Sequence, residues 1–370
     1  MTAHRVHGMG EGLEAPAWPA ITRAEAAALL ARLPEAGRLE ALTWHSPRPF
    51  SSAALAQTDA GVLFCKRHDR AVRDAASLDA EHAFIAHLAA GGVPVAAVLA
   101  DAGGRTAWDD GRWVWEVHRA GQGLDLYRDR ASWTPFLSAD HAHAAGVALA
   151  WLHRVGQGFD APARTPGPLV SGASILTAAD PLGAAEALVG HSPALADYLA
   201  DKPWRHDLGM VLDTWQACDA AQVLRAAPAL WTHNDWHPSN LLWDAQGDVA
   251  CVLDFGLADR GRAMLDLAIA LERSAVRWLE LGRSASIAQC ADALALLSGY
   301  ETIAPVDRAL VARLLPLCHV EFALAEVDYF QGVLGRRTDA DLAWQGYLLD
   351  HAAWFAGAEG SALLGAIRQD

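Results

Sequence analysis

The sequence predicts an α/β protein of two lobes, a small antiparallel sheet followed by a larger, mostly helical body. Three observations carry that reading. Residues 1–118 hold several segments with the two-residue apolar alternation of strands, broken by turn residues, and one helical stretch crosses them. From residue 119 to 370 the apolar spacing is helical over most of the length. The chain has 370 residues, 52% hydrophobic and 20% charged, which is core enough for two such bodies.

Thr22 followed by Glu25 makes a capping box ahead of AEAAALLARL, so a first helix starts there and ends near Pro34. Leu39–Trp44 is the first strand of the sheet. The loop HSPRPFSS (residues 45–52) leads to a second strand, Ala53–Gln57. The turn Thr58-Asp59-Ala60-Gly61 leads to a third, Val62–Arg67, whose alternation places Val62, Phe64 and Lys66 on one face. A helix over 74–89 stops at Gly91-Gly92. Val93–Leu99 reads as a strand, Asp101–Gly104 and Asp109–Gly111 as turns, and Trp113–His118 (WVWEVH) as a strong strand. Ser138–Arg154 is an amphipathic helix ending in LAWLH. Residues 156–190 are rich in Pro, Gly and Ala and read as loop, with helices up to residue 220 after them. Leu241–Trp243 and Val249–Asp254 are short strands joined by the turn Asp244–Asp248, a hairpin. From Met264 onward the pattern is helical.

Lys and Arg number 29 against 44 Asp and Glu, a formal charge of −15. That balance speaks against a nucleic-acid footprint and against an anionic membrane surface. Ala83–Ala100 lacks Asp, Glu, Lys and Arg, but His87, Gly91-Gly92 and Pro94 divide it into a helix end, a turn and a strand rather than a membrane span. The five cysteines (Cys65, Cys218, Cys251, Cys290, Cys318) are odd in number and widely spaced. They form no C-x-x-C, so neither a disulfide framework nor a thiolate zinc site is expected. The opening residues show no apolar h-region, and a reducing, cytoplasmic setting is the expectation. Only two of the 29 basic residues are lysines, Lys66 and Lys202. In a chain that uses Arg for ordinary charge, a Lys in a special place is there for its chemistry.

The chemistry concentrates in Trp231–Asp259, WTHNDWHPSNLLWDAQGDVACVLDFGLAD. His233, Asp235, His237 and Asn240 cluster in a loop between apolar segments. One hairpin later Asp254 ends the run VACVLD, where an acid is costly unless paired or bound to metal. Asp and Asn oxygens at that separation suit Mg²⁺, which takes a few protein oxygens and completes its shell with phosphate and water.

H-x-D-x-x-x-x-N followed by D-F-G resembles the phosphoryl-transfer signature of the kinase-like superfamily. The form HNDWHPSNLLW, with His two residues after the Asp, is similar to the aminoglycoside phosphotransferase/choline kinase branch. So are LDLA (265–268) and LAWLH (149–153). The resemblance implies a bilobed protein-kinase-like fold, residues 1–118 forming the nucleotide-binding lobe and 119–370 the helical lobe with the catalytic loop and acceptor site. ATP would lie between them. It implies that Asp235 is the catalytic base, that Asn240 and Asp254 hold Mg²⁺, and that His233 and Asp266 support the catalytic loop. It implies that Lys66 meets the α/β-phosphates, a compact point charge suited to them, with Glu81 as its helix partner. No G-x-G-x-x-G is present. SPRPFSSAAL stands in its place, with Ser51 and Ser52 as phosphate-loop candidates. Glu116-Val117-His118 resembles the interlobe hinge, adenine bonding the Glu116 carbonyl and the His118 amide, with Arg119–Gly123 as the connection.

The implied reaction moves the γ-phosphoryl of Mg·ATP to a hydroxyl of a small molecule, of aminoglycoside, choline/ethanolamine, homoserine or sugar type. Two other readings stay open. One is a non-catalytic, pseudokinase-like ATP-binding regulator. The other is a metal-dependent hydrolase built on H-x-D-x-H. For the acceptor, Glu321, Ala325 and Asp328 fall on one face of a late helix and suit an amine, and Trp236 flanks the catalytic loop.

Overall fold

Five antiparallel strands make the sheet that the alternation predicts. A computed structural model describes residues 4–7, 12–170 and 172–369. The chain divides into two compact units, Met1–Gly123 with Ala250–Leu253, and Leu124–Val249 with Asp254–Asp370. In the first unit, helix α1 (Arg23–Leu30) precedes strands β1 (Leu39–His45), β2 (Ser52–Thr58) and β3 (Gly61–Asp69). Helix α2 (Ala75–Ala90) and strands β4 (Ala107–Asp109) and β5 (Trp113–Arg119) follow, and the sheet order is β1-β2-β3-β5-β4. Val6–His7 and Leu13–Glu14 pair separately.

Helix α1 starts where its cap requires. The Thr22 hydroxyl accepts from the Glu25 amide and the Glu25 carboxylate accepts from the Thr22 amide. Helix α2 has Asp74 as N-cap and Gly91 at its end. The two helices cover opposite sides of the sheet. Ala26, Leu29 and Leu30 of α1 pack with Leu63, Cys65, Trp113, Trp115 and Val117. Leu78 of α2 packs with Ala107 and Val114. Strand β3 shows what the alternation does. Arg67 lies on the α1 side, bonded to Glu25 Oε1 (2.5 Å) and the Pro19 carbonyl (2.5 Å), its guanidinium 4.5 Å from the Trp113 ring centre. Lys66 belongs to the α2 side, opposite Glu116 in the register.

Two details depart from the sequence reading. Val93–Leu99 is not a regular strand; it makes single bridges, Val95 to Val252 and Val98 to His118. Residues 107–109, next to predicted turns, form β4 because Trp108 buries into the core of this unit.

The second unit contains helix α3 (Ala139–Gly156), a run of helices from Pro181 to Ala226 that begins inside the expected loop, and strands β6 (Leu230–Thr232) and β7 (Leu241–Trp243). Strand β8 (Val249–Val252) leads toward Asp254, and β9 (Asp259–Gly261) pairs antiparallel with β6. Helices α4 (Ala263–Ser274), α5 (Cys290–Glu301) and α6 (Val320–Asp328) follow. Helices α3 and α5 touch backbone to backbone. A Cβ at Gly146 would sit 2.0 Å from the Leu296 carbonyl, and one at Gly299 2.0 Å from the His143 carbonyl. That approach carries His153, the last residue of LAWLH, to Tyr300 of α5 (Nδ1 to Oη, 2.7 Å). No described helix is long and apolar enough to cross a membrane.

Candidate active site

The loop between β6 and β7 is held from beneath by one carboxylate. Asp266, on the first turn of α4 and fully buried, accepts the His233 amide at Oδ2 (2.9 Å) and the Asn234 amide at Oδ1 (2.8 Å). His153 Nε2 reaches the same Oδ2 (2.9 Å), so a chain of polar contacts runs from Tyr300 through His153 and Asp266 to the loop backbone. Burial alone would raise Asp266, but the His153 hydrogen bond and the amides outweigh it and hold the carboxyl below its ordinary value. Asn234 adopts left-handed backbone (φ 59°), which asparagine tolerates. Its side chain fixes that turn by donating to the Leu257 carbonyl (3.1 Å) and accepting from the Thr232 hydroxyl (2.9 Å).

This frame presents Asp235, 19% exposed at the side chain, to its surroundings. The Asn240 amide nitrogen donates to the Asp235 carbonyl (2.9 Å) and to its Oδ2 (3.1 Å). That orientation turns Asn240 Oδ1 away as the acceptor that remains for a cation. His237 Nε2 stands 3.5 Å from Asp235 Oδ1. His233 packs edge-on against Trp236 and Phe255, and its Nδ1 accepts the Asp235 amide (3.2 Å). Asp254 is exposed and also left-handed (φ 55°), its Oδ1 accepting the Gly256 amide (3.4 Å). An amide-derived oxygen and an exposed carboxylate make a hard donor pair that fits Mg²⁺. His233, Asp235 and His237 do not converge as three metal donors. Among the described residues the groups that do are His82–Glu116–His118 and Glu272–His319–His351.

Two arginines went unread in the sequence. Arg273 lies seven residues after Asp266 on α4, so the same helix face that braces the loop also delivers a guanidinium to Asp235 Oδ1. Burial pulls Arg273 down to about 10, leaving it charged at neutral pH, and Phe322 packs against it (4.8 Å). Arg164 braces the segment after D-F-G, donating to the Gly256 (2.8 Å) and Ala258 (3.1 Å) carbonyls, while its amide donates to Asp259 Oδ1 (2.8 Å). Only contacts between residues far apart in the chain reveal either role, and no local pattern carries such a signal.

In the first unit, Lys66 on β3 and Glu81 on α2 are both buried, within the layer between the sheet and α2. Ser52 begins β2 and its hydroxyl donates to the Pro19 carbonyl (2.8 Å), while Ser51 lies just before that strand. Glu116 and His118 are inside β5, not at its end. Ala120 donates to Val62, and by the alternation of an antiparallel ladder the backbone groups of Glu116 and His118 also face β3. The backbone groups of Glu116 and His118, where the sequence reading put the adenine contacts, are thus turned to the neighbouring strand. The Glu116 carboxylate instead meets three imidazoles, those of His68 (2.9 Å), His82 (2.9 Å) and His118 (2.8 Å).

The acids expected to hold an amine have other partners. Glu321 accepts the Gly172 (3.0 Å) and Ile175 (2.9 Å) amides, closing a loop, and Asp328 accepts the Ser192 hydroxyl (2.5 Å). Every residue of α6 is buried, so a face that reads as polar in sequence is covered by other elements. Trp236, within the loop itself, is fully buried.

The sequence model of the phosphotransferase enzyme family matches residues 48–306. Among solved structures, the chain is similar to a microcompartment-associated aminopropanol kinase (16% identity, 91% of this chain and 98% of that one, TM-score 0.56). It is also similar to the amicoumacin kinase hAmiN in complex with AMP-PNP, Ca²⁺ and Ami (16%, 94% and 92%, 0.53). A third is an aminoglycoside phosphotransferase from Alicyclobacillus acidocaldarius (15%, 96% and 97%, 0.51). At these identities the likeness is one of fold. No curated protein is similar enough in sequence to match.

Proposed function

Because the chain belongs to the phosphotransferase enzyme family, we propose that it moves the γ-phosphoryl group of ATP to a hydroxyl of a small molecule, with Asp235 as the base. The observation that carries this reading is the built loop: one carboxylate, Asp235, held at its rotamer by Asn240 and Arg273 on a backbone pinned by Asp266. Phosphoryl transfer asks for that kind of positioning more than for covalent help. The acceptor oxygen attacks phosphorus, the bond from phosphorus to the leaving nucleotide oxygen breaks, and the hydroxyl proton passes to an Asp235 oxygen. Asn240 Oδ1 and the Asp254 carboxylate would hold Mg²⁺, which when bound neutralises phosphate charge. Lys66 supplies a further positive charge to the phosphates, with Glu81 buried in the same layer.

The acceptor side is where this chain departs from the amine-binding expectation. Glu321 is bonded to loop amides, and the groups around Asp235 are a guanidinium and an imidazole. The test is mass spectrometry of hydroxyl compounds incubated with the protein and Mg·ATP. The panel holds aminoglycosides, choline, homoserine and sugars, and Asp235→Asn serves as the blank. A phosphorylated product absent from the blank supports the reading. No product across a widened panel, from protein that binds ATP by thermal shift, would replace it with a regulatory ATP-binding role.

A further inference from the structure

The His68–His82–Glu116–His118 cluster has no part in the transfer chemistry above. It lies wholly in the first unit, assembled from three elements that only the fold brings together: His68 on β3, His82 on α2, and Glu116 and His118 on β5. We propose that His82, Glu116 and His118 bind one divalent ion of borderline softness, with Zn²⁺ the foremost candidate and His68 bonded to the other oxygen of the same carboxylate.

The geometry comes first. Three Nε2 atoms converge on one carboxylate: His68 on Oε1 at 2.9 Å, His82 and His118 on Oε2 at 2.9 and 2.8 Å. The His82 and His118 Nε2 atoms and the Glu116 oxygen all lie within 4.8 Å of one another. The two rings stand edge to face, 84° apart with centres at 5.7 Å, so their lone pairs approach from different directions, as a tetrahedral shell requires. His82 is also oriented from behind. Its Nδ1 meets the Thr106 hydroxyl at 2.8 Å, the outer contact that fixes which nitrogen faces a metal.

A dication near Lys66 is offset by two buried carboxylates of this layer, Glu116 and Glu81.

Donor chemistry then selects the ion. Two imidazoles and one carboxylate suit Zn²⁺ and its neighbours, whereas Mg²⁺ prefers an all-oxygen shell. Three protein donors leave the fourth position of the shell to water. His118, 13% exposed at the side chain, gives the path of entry. Bound there, the ion ties α2 to the middle of the sheet. His82 directly follows Glu81, so the same tie fixes the helix turn that carries Glu81 into the layer of Lys66.

The test needs no turnover. The full chain is stripped with a chelator and titrated with Zn²⁺ alone. Bound zinc is counted after gel filtration, and the unfolding temperature is recorded with and without metal. Co²⁺ in place of Zn²⁺ reports the donor set by its absorption. The expected result is one tightly held equivalent that raises the unfolding temperature. His118→Gln and His82→Gln should each lose that equivalent or weaken it at least about tenfold. Asn240→Ala should keep it. His118→Gln is the decisive variant if His82→Gln disturbs folding, since His118 is partly exposed. Zinc stoichiometry and affinity unchanged by His118→Gln would overturn the proposal, as would failure of the stripped protein to retain any zinc. Phosphoryl transfer is not read in this experiment, so the outcome is independent of the proposed activity.

Discussion

At the scale of single residues, the account turns on how Asp235 is held. A base left to rotate samples unproductive geometries, and Arg273 with Asn240 removes that freedom. Arg273→Met is expected to lower turnover at least about tenfold, with Arg273→Lys between the two because an ammonium does not reproduce the guanidinium fork. The stability loss should fall below the about 3–5 kcal/mol of a fully buried pair, since water reaches Asp235. Steady-state kinetics and chemical denaturation of the three proteins check both statements. His319 offers a pH test. Burial pulls its imidazole down, but the Glu272 carboxylate first, and then Glu326, carry it up to about 9. A folded value above the unfolded 6.5 means that His319 adds stability that is complete below about pH 6.5 and lost as pH rises through about 9. Denaturation free energy should therefore fall over that window, and His319→Gln should flatten the slope. An equal slope in both proteins would remove His319 as its cause.

At the scale of elements, the loop that carries Asp235 depends on helices far from it in sequence. Helices α3 and α5 approach closely enough for His153 to touch both Tyr300 and Asp266. Gly146→Ala would push a methyl into the Leu296 carbonyl, which is backbone and cannot turn aside. The expected cost is about 1–3 kcal/mol or more, read by denaturation. Turnover should fall as well, because Asp266 loses alignment with the loop amides. Asp266→Ala should have the larger effect on turnover, and full activity in that variant would show that the loop holds itself. The elements also show what was legible. Thr22 with Glu25, Gly91 and the alternation of β3 are local signals, and each element starts, stops or faces as the local chemistry says. The β6–β9 pair is short, and its strands find each other across about 30 residues of chain. Helix α6 misled for a related reason. The spacing of Glu321, Ala325 and Asp328 defines a face, but spacing does not say what packs on it.

At the scale of the whole molecule, the same division holds. Asp235, Asn240 and Asp254 lie within one short motif, and Lys66 stands out by residue type and strand alternation, so the sequence displays these candidates. Arg273, Arg164 and the histidines around Glu116 converge only through the fold. The units are also not separable by cutting the chain between them. Val252, from a segment that follows the catalytic loop, bridges Val95 of the first unit, its amide donating to the Pro94 carbonyl at 2.7 Å. A fragment ending at Gly123 lacks that segment and should show weaker near-ultraviolet dichroism and a less cooperative melt than a fragment supplied with the 250–253 peptide joined by a linker. Equal melts would mean that the segment contributes nothing to the unit.

The central claim is that Asp235 takes the acceptor proton while nucleotide is held by other groups. The most direct measurement is ATP consumption by Asp235→Asn beside the native protein, at saturating Mg·ATP and with an acceptor found in the panel, together with nucleotide affinity by titration. The account predicts a turnover lower by at least about a hundredfold in the variant, the scale of a lost general base, with nucleotide affinity unchanged. Turnover within about threefold of the native protein would contradict it and remove Asp235 from the chemistry.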